Sequence, residues 1–336
     1  MPITAPVTWL GGKAKLAPRI INFFPGHETD VEVFGGSAAV LMAKSPVGVE
    51  IYNDIDEGVV NLFRVLRDPT LCDKLRFALD RTPYSRAEFE LAKEKASDPV
   101  EAARRLVVRH RQSRGGLAER WSYSIQDTHA GVASTIRRWQ RGIDHLSAVH
   151  NRFKSVQIEN DDWRQILPRY DSKETLFFCD PPYHPFTRVA GSYDHELTRK
   201  DHRELVAWLL GVRGMVVLSG YENDDYKPLE RASWKCVAFD VPANISNRRT
   251  RRVECVWLSP SIAARKRTLF LTPRQRMREG ARETHRIRVN STTQRITRAM
   301  QKIRANGQKI TIIAVARATK MSREHLGRNY RHLFAV

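Results

Sequence analysis

Four consecutive residues, Asp180-Pro181-Pro182-Tyr183, carry groups that could activate an aromatic amine. They follow the apolar run 175–179, which predicts a buried strand with the motif at its carboxyl end. Because both prolines lack an N–H group, the carbonyls beside them have no helical role. The Asp180 carboxylate and the Pro181 carbonyl could then accept hydrogen bonds from both N–H groups of an amine, while Tyr183 offers a flat face for stacking. The alternative interpretation is a stiff polar turn.

Two segments near the N-terminus predict elements that would hold a ligand beside this motif. Residues 31–37 read as a strand that runs into Gly35-Gly36, and residues 49–54 as a second strand that ends in Asp54. This order is typical of a βαβ unit, whose ligands bind at the carboxyl ends of the strands. The glycines allow close approach of the backbone to a ligand. Asp54 could accept hydrogen bonds from vicinal hydroxyls or could instead cap a helix.

The strand pattern as a whole predicts an α/β protein with a Rossmann-like sheet. After a charged and largely helical stretch, strand-like runs resume at 155–158, 175–180, 214–219 and 252–258. We therefore expect a main domain, an inserted segment, a basic linker and a C-terminal helical domain, which cover 1–69 with 155–260, 70–154, 261–290 and 291–336, respectively.

Positive charge is concentrated near the C-terminus. The 336 residues carry a formal net charge of +20, and residues 261–336 contain 19 Lys and Arg against 3 Asp and Glu. This asymmetry predicts a polyanionic partner, nucleic acid before membrane, with a solvated basic tail as the alternative. The four cysteines form no CxxC pair, so neither a disulfide framework nor a metal site is predicted. With no signal-peptide pattern, we expect a cytoplasmic protein.

Five short motifs make the sequence similar to the Dam-type N6-adenine DNA methyltransferases. They occur in the family's order as Trp9-Leu10-Gly11-Gly12-Lys13, Glu32-Val33-Phe34-Gly35-Gly36, Asn53-Asp54-Ile55-Asp56, Asn160-Asp161-Asp162-Trp163 and Asp180-Pro181-Pro182-Tyr183. The resemblance runs from the N-terminus to about residue 258. One departure is Ala38, which stands where the family has its second glycine.

The resemblance implies an enzyme that uses S-adenosylmethionine (AdoMet) to methylate N6 of adenine in double-stranded DNA, after flipping the base. The Asp180-Pro181-Pro182-Tyr183 loop would be catalytic. Trp9 and Lys13 would help to close the AdoMet site, and Asp54 would bind the ribose. The expected cofactor-binding residues are Trp9, Lys13, Phe34, Gly35, Gly36, Ser37, Asp54, Ile55, Asp162, Trp163 and Asp180.

The same resemblance implies that the inserted segment reads DNA. It contains arginines on both sides of Gly115-Gly116, and arginine suits bidentate contacts with guanine and phosphate. A solvated, charged helix face is the alternative. Arg248 and Arg249 fall in a predicted loop between two strands. The DNA-binding candidates in this part of the chain are Arg109, Arg111, Arg114, Arg120, Arg248 and Arg249.

The C-terminal helical domain resembles a helix-turn-helix. Thr311 and Ser322 can cap its second and third helices, and Arg323 and Arg328 would face outward from the third. Lys320 stands where the turn usually has glycine. The alternative is a helical bundle that mediates a homodimer.

Two other functions fit the motifs. The first is methylation of N4 of cytosine with the same fold. The second is regulation by DNA binding, with a methyltransferase-like body that has lost activity. Because Lys13, Asp54, Asp180 and Tyr183 are all intact, the sequence favours an active enzyme.

Overall fold

The computed structural model describes residues 3–9, 11–125, 128–129, 131–185, 195–242, 251–269, 292–306 and 308–334. The chain divides into two compact units, Met1–Lys266 and Arg267–Val336. No helix among these described residues is long and apolar enough to cross a membrane.

The first unit is built on a seven-stranded sheet in the order β5-β2-β1-β6-β7-β9-β8. The strands are β1 (Thr29–Glu32), β2 (Val49–Asn53), β5 (Val156–Glu159), β6 (Thr175–Cys179), β7 (Met215–Gly220), β8 (Lys235–Pro242) and β9 (Arg251–Leu258). The first five run parallel, while β9 is antiparallel to both β7 and β8. Strands β3 (Thr128–His129) and β4 (Val132–Ala133) form a separate short hairpin.

Helices cover both faces of this sheet. They are α1 (Ala17–Ile21), α2 (Ala39–Ala43), α3 (Glu57–Arg67), α4 (Pro69–Asp80), α5 (Arg86–Leu91), α6 (Pro99–Arg111), α7 (Ser134–Asp144), α8 (Leu146–Phe153), α9 (Trp163–Tyr170), α10 (Arg199–Gly211), α11 (Lys227–Arg231) and α12 (Pro260–Leu269). Short 3₁₀ turns lie at Arg114–Gly116 and Asp224–Tyr226.

The position of β6 in the sheet explains why its sequence is apolar. All five of its residues are buried, because alternate side chains pack against the helices on opposite faces of the sheet. Phe177 and Cys179 belong to the cluster that contains α9 and α10 residues, whereas Leu176 and Phe178 pack with α1 and α2 residues. The strand is thereby fixed in register, and so is the loop that begins at Asp180.

The order of the strands creates a crevice at the carboxyl edge of the sheet. From β1 the chain moves outward through β2 to β5, and it then returns to the other side of β1 to form β6 and β7. Such a reversal leaves room between the loops that follow the two central strands, and ligands of open α/β sheets bind there. The loops after β1, β2 and β6 contain Gly35, Asp54 and Asp180, respectively.

Two features differ from the expected domain organisation. The base of the inserted segment is part of the main core, because Leu75, Leu106 and Phe153 share one cluster with Val60 and Tyr52. The predicted linker 261–290 is wrong at its start. Residues up to 269 belong to α12, whose Ile262 is buried in the core. Residues 270–291 lie outside the described part of the chain.

The second unit has its own small core. Its helices are α13 (292–305), α14 (Ile312–Thr319) and α15 (Arg323–Asn329), followed by a 3₁₀ turn at Arg331–Phe334. The apolar cluster consists of Ile296, Ile303, Val315, Ala316, Leu326 and Tyr330.

A buried ion cluster ties α8 to strand β2. Arg152 donates to both carboxylate oxygens of Glu50, at 2.5 and 2.6 Å, and to the carbonyl of Leu41 at 3.0 Å. Lys44 donates to Glu50 at 2.5 Å. Glu50 is only 1% exposed, so its removal would leave two buried cations without their shared carboxylate.

We therefore expect Glu50→Ala to lower the free energy of unfolding by about 3–5 kcal/mol. Urea denaturation is the measurement. The control is Glu90→Ala, because the Glu90–Lys93 pair is exposed and such pairs contribute about 1 kcal/mol or less. Equal losses in the two variants would contradict a stabilising role for the buried cluster.

Candidate active site

A cavity of about 330 Å³ lies at the carboxyl edge of the sheet. Its wall brings together residues from the N-terminal segment and from the loops after β1, β2 and β6. Predicted site residues in this wall are Trp9, Lys13, Phe34, Gly35, Gly36, Ser37, Asp54, Ile55, Asp180, Pro181, Pro182 and Tyr183. Motifs that are up to 170 residues apart in the sequence thus share one site.

The loop after β1 needs its glycines for packing and for conformation. A Cβ atom on Gly35 would lie 2.2 Å from the ring of Tyr52, whose hydroxyl donates to the carbonyl of Gly36 at 2.7 Å. Gly36 has φ +48°, and a Cβ there would lie 2.8 Å from the indole of Trp9. Ala38 also has a left-handed backbone, with φ 57°, which accounts for a glycine at this position in the family.

Asp54 organises the loops after β1 and β2. One carboxylate oxygen accepts from the amide of Gly36 at 2.7 Å, and the other accepts from the amide of Asp56 at 2.9 Å. The cap of α3 is Asp56, which accepts from Gly58 and Val59, so the helix-cap interpretation of Asp54 is wrong. Burial raises the pKa of Asp54 to about 6, even though the two amide hydrogen bonds lower it.

The ammonium of Lys13 lies between two carboxylates. It is 2.7 Å from Asp180 Oδ1 and 3.2 Å from Glu254 Oε1, and it also donates to the Tyr183 hydroxyl at 3.0 Å and to the Gly11 carbonyl at 2.9 Å. Lys13 is 4% exposed. Burial alone would lower the pKa of Lys13, but Asp180, Tyr183 and Glu254 outweigh it and hold the pKa well above its usual value.

Asp180 is a buried carboxyl that lies beside one cation and near a second carboxylate. Burial raises the pKa of its carboxyl to about 6, the charge of Lys13 lowers it, and the second carboxylate, Glu254, raises it. Asp180 therefore carries its charge at neutral pH and loses it as the pH falls through about 6.

Tyr183 forms an aromatic wall beside this carboxylate. Its ring packs against Tyr221 with centroids 4.4 Å apart and an interplanar angle of 37°. Its hydroxyl donates to both oxygens of Glu254 at 3.2 Å. The ring orientation of Tyr183 is therefore fixed from two sides.

A second cavity of about 360 Å³ contains the remaining cofactor candidates. Asp162 and Trp163 line it, together with Phe34, Ile55 and Pro182, which also line the first cavity. Asp162 caps α9 by accepting from the amide of Arg164 at 2.8 Å. Trp163 is 3% exposed and packs into the core, and the small exposed part of its side chain lines the cavity.

Comparison with known proteins identifies the family. A family model described as D12 class N6 adenine-specific DNA methyltransferase matches residues 9–222, which contain all five motifs. The chain belongs to this family. The protein is therefore an adenine-specific DNA methyltransferase, and its AdoMet-dependent reaction modifies N6 of adenine rather than N4 of cytosine. No curated protein matches the chain.

One solved structure similar to this methyltransferase is that of a protein described as an rRNA methylase from Clostridium thermocellum. It shares 9% sequence identity, with a TM-score of 0.31, and the match covers 73% of this chain and 95% of that one.

The arginines expected to bind DNA have different environments in the methyltransferase. Arg114, in the 3₁₀ turn, and Arg120 are both exposed at the ends of one loop, in which the amide of Arg114 donates to the carbonyl of Arg120 at 2.8 Å. Arg109 instead lines the first cavity. Arg111 donates to the carbonyls of Pro6 and Ala5, at 2.5 and 3.1 Å, and burial lowers its pKa to about 10.

Arg111 is thus a structural residue, and its assignment to DNA binding is wrong. The residues next to Arg111 in the sequence could not predict this structural role, because the carbonyls that it contacts lie in the N-terminal segment. Arg323 and Arg328 are exposed on α15, whereas Arg248 and Arg249 lie outside the described residues.

Sequence reasoning missed several residues of the site. Glu254 and Ser219 belong to the network around Lys13, and Ser219 donates to Glu254 Oε1 at 3.1 Å. His110 stacks on Trp9 with centroids 4.8 Å apart. Glu32 stood inside a motif that the sequence did reveal, and its carboxylate lines the first cavity. Glu254 lies in none of the motifs. It reaches the site because β9 is antiparallel to β7, so that the first half of β9 lies at the edge of the sheet where the parallel strands end.

Proposed function

We propose that Asp180 and Pro181 activate the target adenine. The lone pair of N6 is delocalised into the ring, and the amine becomes a better nucleophile when both of its N–H groups donate to fixed acceptors. The Asp180 carboxylate and the Pro181 carbonyl are those acceptors. The buried Asp180 carboxylate, held 2.7 Å from the ammonium of Lys13 at the end of β6, carries this proposal, because preorganised charge is usually the largest single contribution to catalysis.

Tyr183 would supply the face on which the flipped base stacks. Its ring lines the cavity beside Pro181 and Pro182 and is supported from behind by Tyr221. A base must leave the duplex to reach a site of this depth, and aromatic stacking compensates part of the unstacking cost.

The two adjoining cavities fit AdoMet. Glu32 is 2% exposed, its Oε1 accepts from the amide of Leu41 at 2.7 Å, and its Oε2 has no hydrogen-bond partner among the described residues. An acceptor left open in this way suits the ammonium of the methionine moiety. Asp54 would accept from the ribose hydroxyls, and the second cavity, lined by Asp162 and Trp163, would enclose the adenine moiety. Bound AdoMet supplies an electrophilic methyl group.

Once N6 has received the methyl group, the nitrogen must lose one proton. The Asp180 carboxylate is suited to accept it, because its pKa is raised to about 6 by burial. The first cavity would thus both orient the amine and receive its proton through the same side chain.

Two surfaces would hold the DNA. On the first unit, Arg114 and Arg120 flank the loop 115–119, part of which lines the first cavity. In the second unit, α14 and α15 are joined by Lys320, whose φ of 53° gives the left-handed turn for which glycine is usual. Leu326 of α15 and Tyr330, which directly follows the helix, lie in the core, while Arg323 and Arg328 are exposed, as required of a recognition helix.

We expect Asp180→Asn to lower the rate of methyl transfer by about 10²–10³ or more, because an amide cannot supply the charged acceptor. Transfer of tritiated methyl into DNA under single-turnover conditions, followed by nucleoside chromatography, measures both rate and product. AdoMet binding should remain measurable by calorimetry, which controls for folding. Near wild-type turnover would contradict the proposed role of Asp180.

We expect Asp54→Ala to weaken AdoMet binding by about 1.5–3 kcal/mol through loss of charge-assisted hydrogen bonds. The matched control is Asp56→Asn, since asparagine caps a helix as well as aspartate does. In the wild-type protein, affinity should also weaken as the pH falls through about 6, where Asp54 becomes protonated. An affinity that neither the substitution nor the pH changes would exclude Asp54 from the cofactor site.

Removal of residues 270–336 should weaken DNA binding about 10-fold or more and flatten its salt dependence, since phosphate contacts dominate both. AdoMet affinity should not change. This boundary retains α12, whose Ile262 is a core residue. Binding titrations at several salt concentrations are the measurement. Unchanged DNA binding together with a change from dimer to monomer would show instead that the C-terminal unit mediates oligomerisation.

A pair of double variants separates recognition from bulk charge. Arg323→Ala with Arg328→Ala removes two charges from α15, and Lys302→Ala with Arg304→Ala removes two exposed charges from α13. We expect only the first pair to reduce the preference for one DNA sequence over another, because base contacts specify whereas phosphate contacts position.

A further inference from the structure

We propose that Glu254 is a positioning residue of the methyl-transfer reaction, which holds Lys13 and Tyr183 so that the Asp180 carboxylate is free to bind the substrate amine. The residue lies beyond the segment that the family model matches. The proposal rests on the role of Asp180 proposed above.

Lys13 has fewer donors than acceptors around it. An ammonium has three N–H groups, and here it faces four acceptors, namely Gly11, Asp180, Tyr183 and Glu254. When the substrate amine approaches Asp180, Lys13 can give up that contact and keep the other three. Without the charge of Glu254, Asp180 would be the only carboxylate in contact with the ammonium, so separating Lys13 from Asp180 would leave a buried cation with no carboxylate partner and would cost more.

Glu254 also fixes the orientation of Tyr183. The two oxygens of Glu254 both accept from its hydroxyl, at 3.2 Å, while Ser219 donates to Glu254 from β7 at 3.1 Å. Glu254 itself is 3% exposed and paired with Phe239 in the β8–β9 ladder. A rigid strand thus fixes the carboxylate that fixes the aromatic ring.

Glu254 also changes the balance of charge around Asp180. Asp180 is faced by Lys13 from the N-terminal segment, by Glu254 from β9, by Glu32 from β1, by Tyr183 from its own loop and by Tyr226 near α11. Lys13 is the one cation in this set, and Glu254 is a carboxylate that shares it directly with Asp180. Removal of the Glu254 charge should therefore make Asp180 easier to ionise.

Glu254→Gln tests the proposal, because it removes the charge and keeps the shape. At pH 8 we expect methyl transfer under single-turnover conditions to be slower by about 10- to 100-fold, because a displacement of about 1 Å at a reacting group can cost about 10²-fold in rate. The equilibrium affinity for AdoMet should stay within about threefold. At saturating AdoMet, where protonation of Asp54 does not limit the rate, the acidic limb of the pH–rate profile should move to lower pH by about one unit, since a negative neighbour of Asp180 is gone.

Two further variants serve as controls. Glu254→Asp keeps the charge on a shorter side chain, so its acidic limb should stay close to that of the wild-type protein even if the rate falls. Glu230→Gln neutralises a different carboxylate, which accepts from Trp257 of β9 and does not face Asp180. This variant should leave the pH profile unchanged.

The outcomes distinguish the two proposals. If Asp180→Asn retains wild-type turnover, the role of Asp180 fails, whatever Glu254 does. If Asp180→Asn is inactive and Glu254→Gln is as fast as the wild-type protein, or is slow with an unmoved acidic limb, the positioning role is overturned. If Glu254→Gln does not bind AdoMet, Glu254→Asp provides the test instead. Because this variant keeps the charge, a shift of its acidic limb to lower pH by as much as one unit would also overturn the positioning role.

Discussion

The site depends on one buried ammonium, that of Lys13, between the carboxylates of Asp180 and Glu254. Three charged groups in so dry a place would be costly without mutual compensation, because each loses its hydration. Together they leave one net negative charge, and Tyr183, Ser219 and the Gly11 carbonyl take up further hydrogen bonds. The remaining negative charge lies where a substrate amine would donate its hydrogen bonds. The same buried carboxylates therefore account for both the electrostatic cost of the site and its proposed chemistry.

The sheet makes this arrangement possible. Reversal of the strand order beside β1 opens the crevice in which the loops after β1, β2 and β6 meet, and the glycines at 35 and 36 let the first of these loops pass close to Tyr52 and Trp9. The antiparallel strand β9 contributes a residue from its own first half, Glu254, because this strand begins at the edge of the sheet where the parallel strands end. Core packing of β6 on both faces then fixes Asp180 against Lys13.

Much of this architecture could be predicted from the sequence, because local patterns determine it. The apolar run before Asp180 and the acid after β2 are short-range signals, and the structure places both where the βαβ interpretation expects them. What failed depended on distant partners. Arg111 resembled a surface arginine until its bonds to Pro6 and Ala5 were visible, and Glu254 lies in none of the sequence motifs. The helix at 260–269 was missed because its weak amphipathic pattern resembles that of a polar linker.

The most direct test of the account is the titration of the Asp180 carboxyl carbon by ¹³C NMR. Protein labelled at aspartate would be studied without ligands, and the signal would be assigned with Asp180→Asn. The account predicts a midpoint near pH 6, because burial and Glu254 raise the pKa while Lys13 limits the rise. A midpoint below about 4, the ordinary range of an exposed aspartate, would contradict it, because burial and Glu254 would then not outweigh the charge of Lys13.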